Sequence, residues 1–80
     1  MMPIYGFLEG DTMGLLVLAD EEDTAAMLAT KLASAAHVRV ETSAVLRVFH
    51  QGRELDPSIT VVGAGIEALD RIDVVRRALR

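Results

Sequence analysis

Eighty residues are enough for one small domain with a single hydrophobic core, so the sequence predicts one domain over residues 1–80. The formal net charge of −4 does not provide the basic surface that a nucleic-acid partner requires, and the chain has no cysteine for disulfides or thiolate chemistry. The sequence shows neither a secretory signal nor an apolar run of membrane-spanning length, so we expect a cytoplasmic protein with no membrane partner.

The first two predicted strands form a hairpin. Residues 4–8 are an apolar run that ends at the turn-forming segment 9–11, and residues 13–18 form a second apolar run. Two strands joined by so short a loop must pair in antiparallel fashion.

A single main helix is predicted over residues 24–36. Asp23 or Thr24 can accept hydrogen bonds from its first free amides, and the acids before it suit the positive end of the helix dipole. The acids of residues 20–23 could also suggest a metal site, but no loop glycine or later glutamate completes a calcium-binding pattern. The apolar positions with helical spacing form one stripe: Ala25, Leu28, Ala29, Leu32 and Ala36.

The third predicted strand, residues 45–50, supplies the candidate site. Its alternation assigns Leu46 and Val48 to the core and turns Arg47 and Phe49 to the opposite face. An exposed phenylalanine beside an arginine is typical of a protein interface, so Arg47 and Phe49 are the candidate partner-binding residues. The alternative is a lone exposed aromatic side chain, which small proteins often tolerate.

Turn-forming residues divide the rest of the chain. A tight turn at 51–53 is followed by a short return strand at 54–55. Residues 60–64 predict one helical turn, with Gly65 after it in the left-handed cap position, and residues 72–75 predict the last strand.

Motifs that would indicate chemistry are incomplete. Gly63, Gly65 and Ala68 fit G-x-G-x-x-A, but a dinucleotide site needs a second parallel strand and an acid about twenty residues later, and only twelve residues follow Ala68. His37 and His50 have no further ligands at zinc spacing. The sequence therefore predicts no catalytic, cofactor-binding or metal-binding residue, and we expect that the chain is not an enzyme.

The predicted order of elements resembles the ubiquitin-like β-grasp, an α+β fold in which one main helix packs across a mixed sheet. LRVFHQGRELDPSITVVGAGIEALDRIDVV is similar to the second half of ubiquitin-like domains in its strand, glycine turn, threonine-led helical turn and closing strand. Conjugated ubiquitins and sulfur carriers use a C-terminal Gly-Gly, whereas this sequence ends in Arg-Arg-Ala-Leu-Arg. We therefore expect no conjugation or sulfur-transfer activity.

Several further segments match one family in order. They are MPIYGFLEGD at the start, the acid-rich step into the helix, LRV in the third strand, EL-x-P-x-x-T-V-x-x-x-G-I and a closing IDVV. Together they resemble the small ubiquitin-like γ subunit of bacterial multicomponent diiron monooxygenases of the toluene, alkene and isoprene type. In that family the hydroxylase contains α, β and γ chains, and the diiron centre lies in the α chain.

The resemblance implies a non-catalytic γ subunit without a cofactor of its own. Its implied partners are the hydroxylase α and β subunits, in an assembly with two copies of each chain. The sequence agrees in lacking the Glu-x-x-His pair that four-helix diiron sites use. A large interface would also explain why 51% of so small a chain is apolar, although its many alanines are another explanation. The alternative function is a free-standing bacterial ubiquitin-like adaptor without conjugation activity.

Overall fold

Five strands and one helix form the part of the chain described by the structure, a computed structural model that covers residues 1–9, 14–36 and 44–78. Their order is the predicted one, and the differences from the expected bounds are confined to the ends of the elements. The elements are β1 (Met2–Leu8), β2 (Leu15–Ala19), α1 (Ala25–Ala35), β3 (Ala44–His50), β4 (Arg53–Glu54) and β5 (Arg71–Ala78). His37 lies outside the described residues.

The sheet is mixed, with the strand order β2-β1-β5-β3-β4. β1 pairs with β2 in antiparallel fashion and with β5 in parallel fashion, while β3 pairs antiparallel with both β5 and β4. Because β1 and β5 are parallel, the chain must cross over between them, and α1 lies in that crossover. The predicted α+β class with one helix across a mixed sheet is therefore confirmed.

The hydrophobic core lies between α1 and one face of the sheet, which we call the inner face. Alternate residues of each long strand point into it, as a half-buried sheet requires. In β3, Val48 is buried and Leu46 packs partly buried against the core, as the alternation predicted. The other core residues from the strands, helix and loop include Ile4, Leu8, Val17, Leu28, Leu32, Val61, Ile66, Ile72 and Val74.

The helix begins where its sequence predicts. Thr24 has extended backbone angles, φ −87° and ψ 166°, and its hydroxyl accepts a hydrogen bond from the Met27 amide at 3.2 Å. The predicted stripe is buried except for Ala36, which is partly buried beyond the helix end. Among the described residues, no helix has both the length and the apolar character needed to cross a membrane.

Asp23, one of the acids before the helix, is a structural residue. Its carboxylate accepts hydrogen bonds from the Asp20 amide at 3.0 Å and the Lys31 ammonium at 2.5 Å, and its carbonyl accepts one from the Val61 amide at 2.8 Å. The Lys31 ammonium, followed by the Asp20 amide, lowers the pKa of Asp23. Asp23 thus fixes the helix start to both the preceding turn and the segment before β5.

Gly65 ends the turn that begins at residue 60. It has the predicted left-handed conformation, with φ +74°. The Ala64 amide donates to the Thr60 carbonyl at 2.9 Å, so a single helical turn forms here. The Gly65 amide then donates to the Val62 carbonyl and the Ile66 amide to the Val61 carbonyl, both at 3.1 Å. These two bonds are the pattern of a Schellman motif, in which glycine is preferred because it has no Cβ.

Gly65→Ala is expected to lower the free energy of unfolding by about 1 kcal/mol, because a side chain is strained at positive φ. A Cβ at this position would have no heavy atom within 4 Å, so backbone strain accounts for the cost. Urea denaturation measures it. Gly65→Asn is the matched control and should lose less, because asparagine tolerates this conformation. An unchanged midpoint for Gly65→Ala would contradict the cap.

Candidate protein interface on the outer sheet face

The outer face of the sheet, opposite α1, collects the side chains that alternate with the core residues. The registers place Tyr5 opposite both Leu16 of β2 and Arg71 of β5. They also place Phe7 opposite Asp73, Asp73 opposite Phe49, and Phe49 opposite Glu54. The outer face therefore carries a continuous row of side chains that alternates aromatic and acidic residues across four strands.

Arg47 and Phe49, the candidate residues predicted from the sequence, both lie on this outer face, but both are partly buried, so Phe49 is not the fully exposed phenylalanine that was expected. The Arg47 guanidinium lies 5.8 Å from the centroid of the Phe49 ring, within range of a cation–π interaction. It also donates two hydrogen bonds to the Glu54 carboxylate, one of them 2.7 Å from Nε to Oε2. This pairing raises the pKa of Arg47 and lowers that of Glu54. The charge of Arg47 is thus already paired within the chain, and its guanidinium lies beside the Phe49 ring.

The centre of the outer face repeats the same arrangement. The Arg71 guanidinium lies 4.1 Å from the centroid of the Phe7 ring and donates to Asp73 at 2.9 Å. Each aromatic ring of the row is therefore covered by an arginine that a carboxylate holds in place. Aromatic and arginine side chains are the residues most enriched in protein interfaces.

The β2 end of the outer face is apolar. Tyr5, Leu16 and Leu18 expose 44%, 54% and 53% of their surface, respectively, and Pro3 lies opposite Leu18. The open face of an antiparallel pair is normally polar, so adjacent exposed leucines indicate a contact surface.

Sequence reasoning did not single out these leucines. The run LLVLA is apolar at every position, and so it contains no alternation to separate the two faces. The available signal was the apolar run itself, since a hairpin strand with one wet face is expected to alternate.

His50, the last residue of β3, is buried. Its Nε2 lies 3.1 Å from an oxygen of Asp70, which also accepts a hydrogen bond from the Glu67 amide at 2.9 Å. The Glu67 amide, followed by His50, lowers the pKa of Asp70. The pair joins the end of β3 to the start of β5 and lines a shallow open cleft with Gly52.

The described residues do not bring a metal site together. Within residues 1–9, 14–36 and 44–78 there is no group of three or more histidine, cysteine, aspartate or glutamate side chains placed to hold a metal ion. Asp23 is committed to Lys31, and His50 to Asp70.

Acidification is expected to destabilise the fold through Asp23 and Asp70. Both carboxylates have pKa values below the ordinary aspartate value of about 3.9. Their stabilisation is therefore complete at neutral pH and is lost as the pH falls from about 4 through the folded-state values. Urea midpoints measured between pH 7 and pH 2 test this. Asp23→Asn should flatten part of the dependence, and a midpoint that does not fall in acid would contradict both pairings.

The chain is similar to known proteins in sequence and structure. A family model described as toluene-4-monooxygenase system protein B (TmoB) matches residues 1–75. A chain of a toluene 4-monooxygenase HD complex with the inhibitor 4-bromobenzoate superposes with a TM-score of 0.83 at 24% identity, over 95% of this chain and 98% of that chain. No curated protein matches the chain at a significant level.

Two further structures confirm the ubiquitin-like β-grasp fold. Ubiquitin of Caldiarchaeum subterraneum superposes with a TM-score of 0.76 at 19% identity, over 98% of this chain and 95% of that chain. A chain from a structure described as "Molecular Mimicry of SUMO promotes DNA repair" gives 0.78 at 18% identity, over 92% of this chain and 89% of that chain.

Proposed function

Because the chain belongs to the family of toluene-4-monooxygenase system protein B, the type its sequence resembles, we propose that it is the ubiquitin-like γ subunit of a diiron hydrocarbon monooxygenase. It docks on the hydroxylase α subunit and supports the assembled enzyme. The α and β subunits are its partners, in an assembly with two copies of each chain. The diiron centre belongs to the α subunit, and this chain supplies none of its ligands.

The outer sheet face is the observation that carries this proposal. It combines a row of arginine-covered aromatic rings with exposed Tyr5, Leu16 and Leu18. Five strands spaced about 4.8 Å apart make a face on the order of 20 Å wide, the scale of one side of a standard interface. The structural likeness to a chain of a toluene 4-monooxygenase complex supports the same role.

The chemistry of the described residues also favours a docking role. On the outer face, Arg47 pairs with Glu54 and Arg71 pairs with Asp73. Charges that are already paired within the chain suit a docking surface, because a partner can cover them without burying an unpaired charge.

Co-expression with the hydroxylase α and β subunits tests the proposed function. The expected result is that the chain co-purifies with them in a constant ratio. The iron content of the assembly should be proportional to its content of α subunit. The purified chain alone is expected to retain no stoichiometric iron after dialysis. A hydroxylase that assembles without the chain, while the chain elutes alone, would support a free-standing adaptor instead.

Phe49→Ala is expected to weaken assembly with the hydroxylase by about 1–3 kcal/mol, because Phe49 and Arg47 are the proposed anchors on the β3 side of the outer face. The free chain should remain nearly as stable, because Phe49 is outside the buried core. Retention of the variant by the hydroxylase on size-exclusion chromatography measures the first effect, and thermal unfolding of the free chain measures the second.

Two results would contradict the role of Phe49. Substantial unfolding of the free variant would assign its ring to the fold rather than to the interface. Undiminished assembly with an intact fold would place the docking surface elsewhere. Val62→Ala is the control, since Val62 is 62% exposed in the turn before β5, outside the strands that form the outer face.

A further inference from the structure

The two edges of the sheet differ in their protection against strand pairing. At one edge, β4 is only two residues long and both, Arg53 and Glu54, are charged. At the other edge, β2 is five residues long and carries no charged side chain. Natural sheets protect an edge by keeping it short or charged, and an unprotected edge can pair with another strand.

Hydrogen bonds of β1 show which residues of β2 face this open edge. The Tyr5 amide donates to the Asp70 carbonyl at 2.9 Å, and the Pro3 carbonyl accepts from the Leu69 amide at 2.6 Å. Both groups therefore point toward β5 and away from β2. Directly opposite residues in an antiparallel pair exchange both hydrogen bonds or neither. Leu16 and Leu18, which lie opposite Tyr5 and Pro3, thus direct their backbone polar groups to the open edge.

One of these edge groups already has a partner. The Leu18 carbonyl accepts a hydrogen bond from the Lys31 ammonium at 3.1 Å, which confirms that it points outward. Among the described residues, no hydrogen bond outside the sheet ladder involves the Leu16 amide, the Leu16 carbonyl or the Leu18 amide. The same two leucines expose their side chains on the outer face. Leu16 and Leu18 therefore provide both the backbone groups at the open edge and the exposed apolar surface next to it.

Building on the proposed function, we infer that this edge binds an extended apolar segment of the hydroxylase α subunit, which pairs with β2 as a sixth strand. The backbone of the segment pairs with Leu16 and Leu18, and its alternate side chains lie against these leucines. Strand addition of this kind gets affinity from main-chain hydrogen bonds and specificity from side-chain contacts.

Charge indicates the composition of the segment and disfavours a second copy of this chain as its occupant. Asp20, Glu21 and Glu22 follow β2 directly and are all exposed, so the segment carries a basic residue at its end beside them. Lys31 is the first basic residue of the sequence. A second copy pairing through its own β2 would bring an acidic stretch without a basic residue to meet these acids, and its Lys31 is engaged by Asp23.

Two variants separate the backbone and side-chain contributions. Leu16→Pro removes the amide that faces the edge, and proline is tolerated in an edge strand where its nitrogen faces outward. Leu16→Ser/Leu18→Ser removes the apolar contacts but keeps the backbone groups. Each is expected to weaken binding of the full-length chain to the hydroxylase about 10-fold or more. Val62→Ser, which removes an exposed apolar side chain elsewhere, should not change it.

Hydrogen exchange gives a readout that does not depend on the stability of the variants. The wild-type Leu16 and Leu18 amides are expected to exchange at least about 10-fold more slowly in the assembled hydroxylase than in the free chain, because strand pairing protects them. Unchanged exchange, or wild-type affinity in both folded variants, would overturn the edge assignment. So would a dimer of the free chain that Leu16→Pro dissociates.

These results are distinguishable from failure of the proposed function. If the wild-type chain does not bind the hydroxylase at all, the proposed function is wrong and the inferred strand addition is wrong with it. If the wild-type chain binds but both edge variants bind equally well, only the edge assignment is wrong.

Discussion

Leu32→Ala is expected to lower the free energy of unfolding by about 2–5 kcal/mol. Leu32 is fully buried on the side of α1 that faces the sheet, so truncation leaves a cavity between the helix and the inner face. Domains have about 0.05–0.15 kcal/mol of stability per residue, so this loss is a large share of the total for a chain of this size. Urea denaturation monitored by circular dichroism measures it.

Leu16→Ala is the matched control, because it makes the same chemical change at a position that is 54% exposed. Its cost to the free chain should stay within about 0.5 kcal/mol. Equal destabilisation by the two variants would mean that the inner and outer faces of the sheet have been assigned incorrectly.

Gly6→Ala is expected to cost about 1–3 kcal/mol through overpacking. Gly6 is buried on the inner face of β1, and a Cβ placed there would lie 2.8 Å from Cδ1 and 2.9 Å from Cδ2 of Leu32. Ordinary carbon atoms in contact are about 3.5–4.0 Å apart, so the helix or the Leu32 side chain must move. The close approach of Leu32 to β1 thus favours glycine at this position.

A double-mutant cycle tests this explanation. Leu32→Ala removes the methyl groups that a Cβ at Gly6 would meet. The combined variant should therefore be less destabilised than the sum of the single variants, by about 0.5–2 kcal/mol. Denaturation midpoints of all four proteins measure the coupling, and strict additivity would show that Gly6 is needed for another reason.

The closely packed inner face determines which surface is available for function. Leu28, Leu32 and Ala29 of α1 cover the apolar side of the sheet, so the outer face is left to meet a partner. Arg71 and Arg47 already lie over the rings of Phe7 and Phe49 in the free chain, and preorganisation of this kind reduces the entropic cost of binding.

Much of the fold could be predicted because local rules determine it. Thr24 caps the helix and Gly65 ends a turn with positive φ, and both follow from residue type and immediate neighbours. The placement of Phe49 on the outer face also follows from a simple alternation, because Val48 supplies a clear buried neighbour. The partner-binding role of Arg47 and Phe49 stays a prediction.

Other parts of the site depend on contacts between distant residues. His50 and Asp70 lie twenty positions apart, and only the β3–β5 register brings them together. Similarly, the exposure of Leu16 follows from its pairing with Tyr5, because its own run is apolar throughout. No local pattern contains that information, since a shift of one residue in register would exchange the two faces of β2.

Isothermal titration calorimetry of the purified chain into hydroxylase prepared without it tests the docking role most directly. The account predicts saturable binding with one copy of the chain per α subunit. It also predicts a negative change in heat capacity between about 10 and 30 °C, because apolar surface is buried. The absence of binding to a folded, iron-loaded hydroxylase would contradict the account.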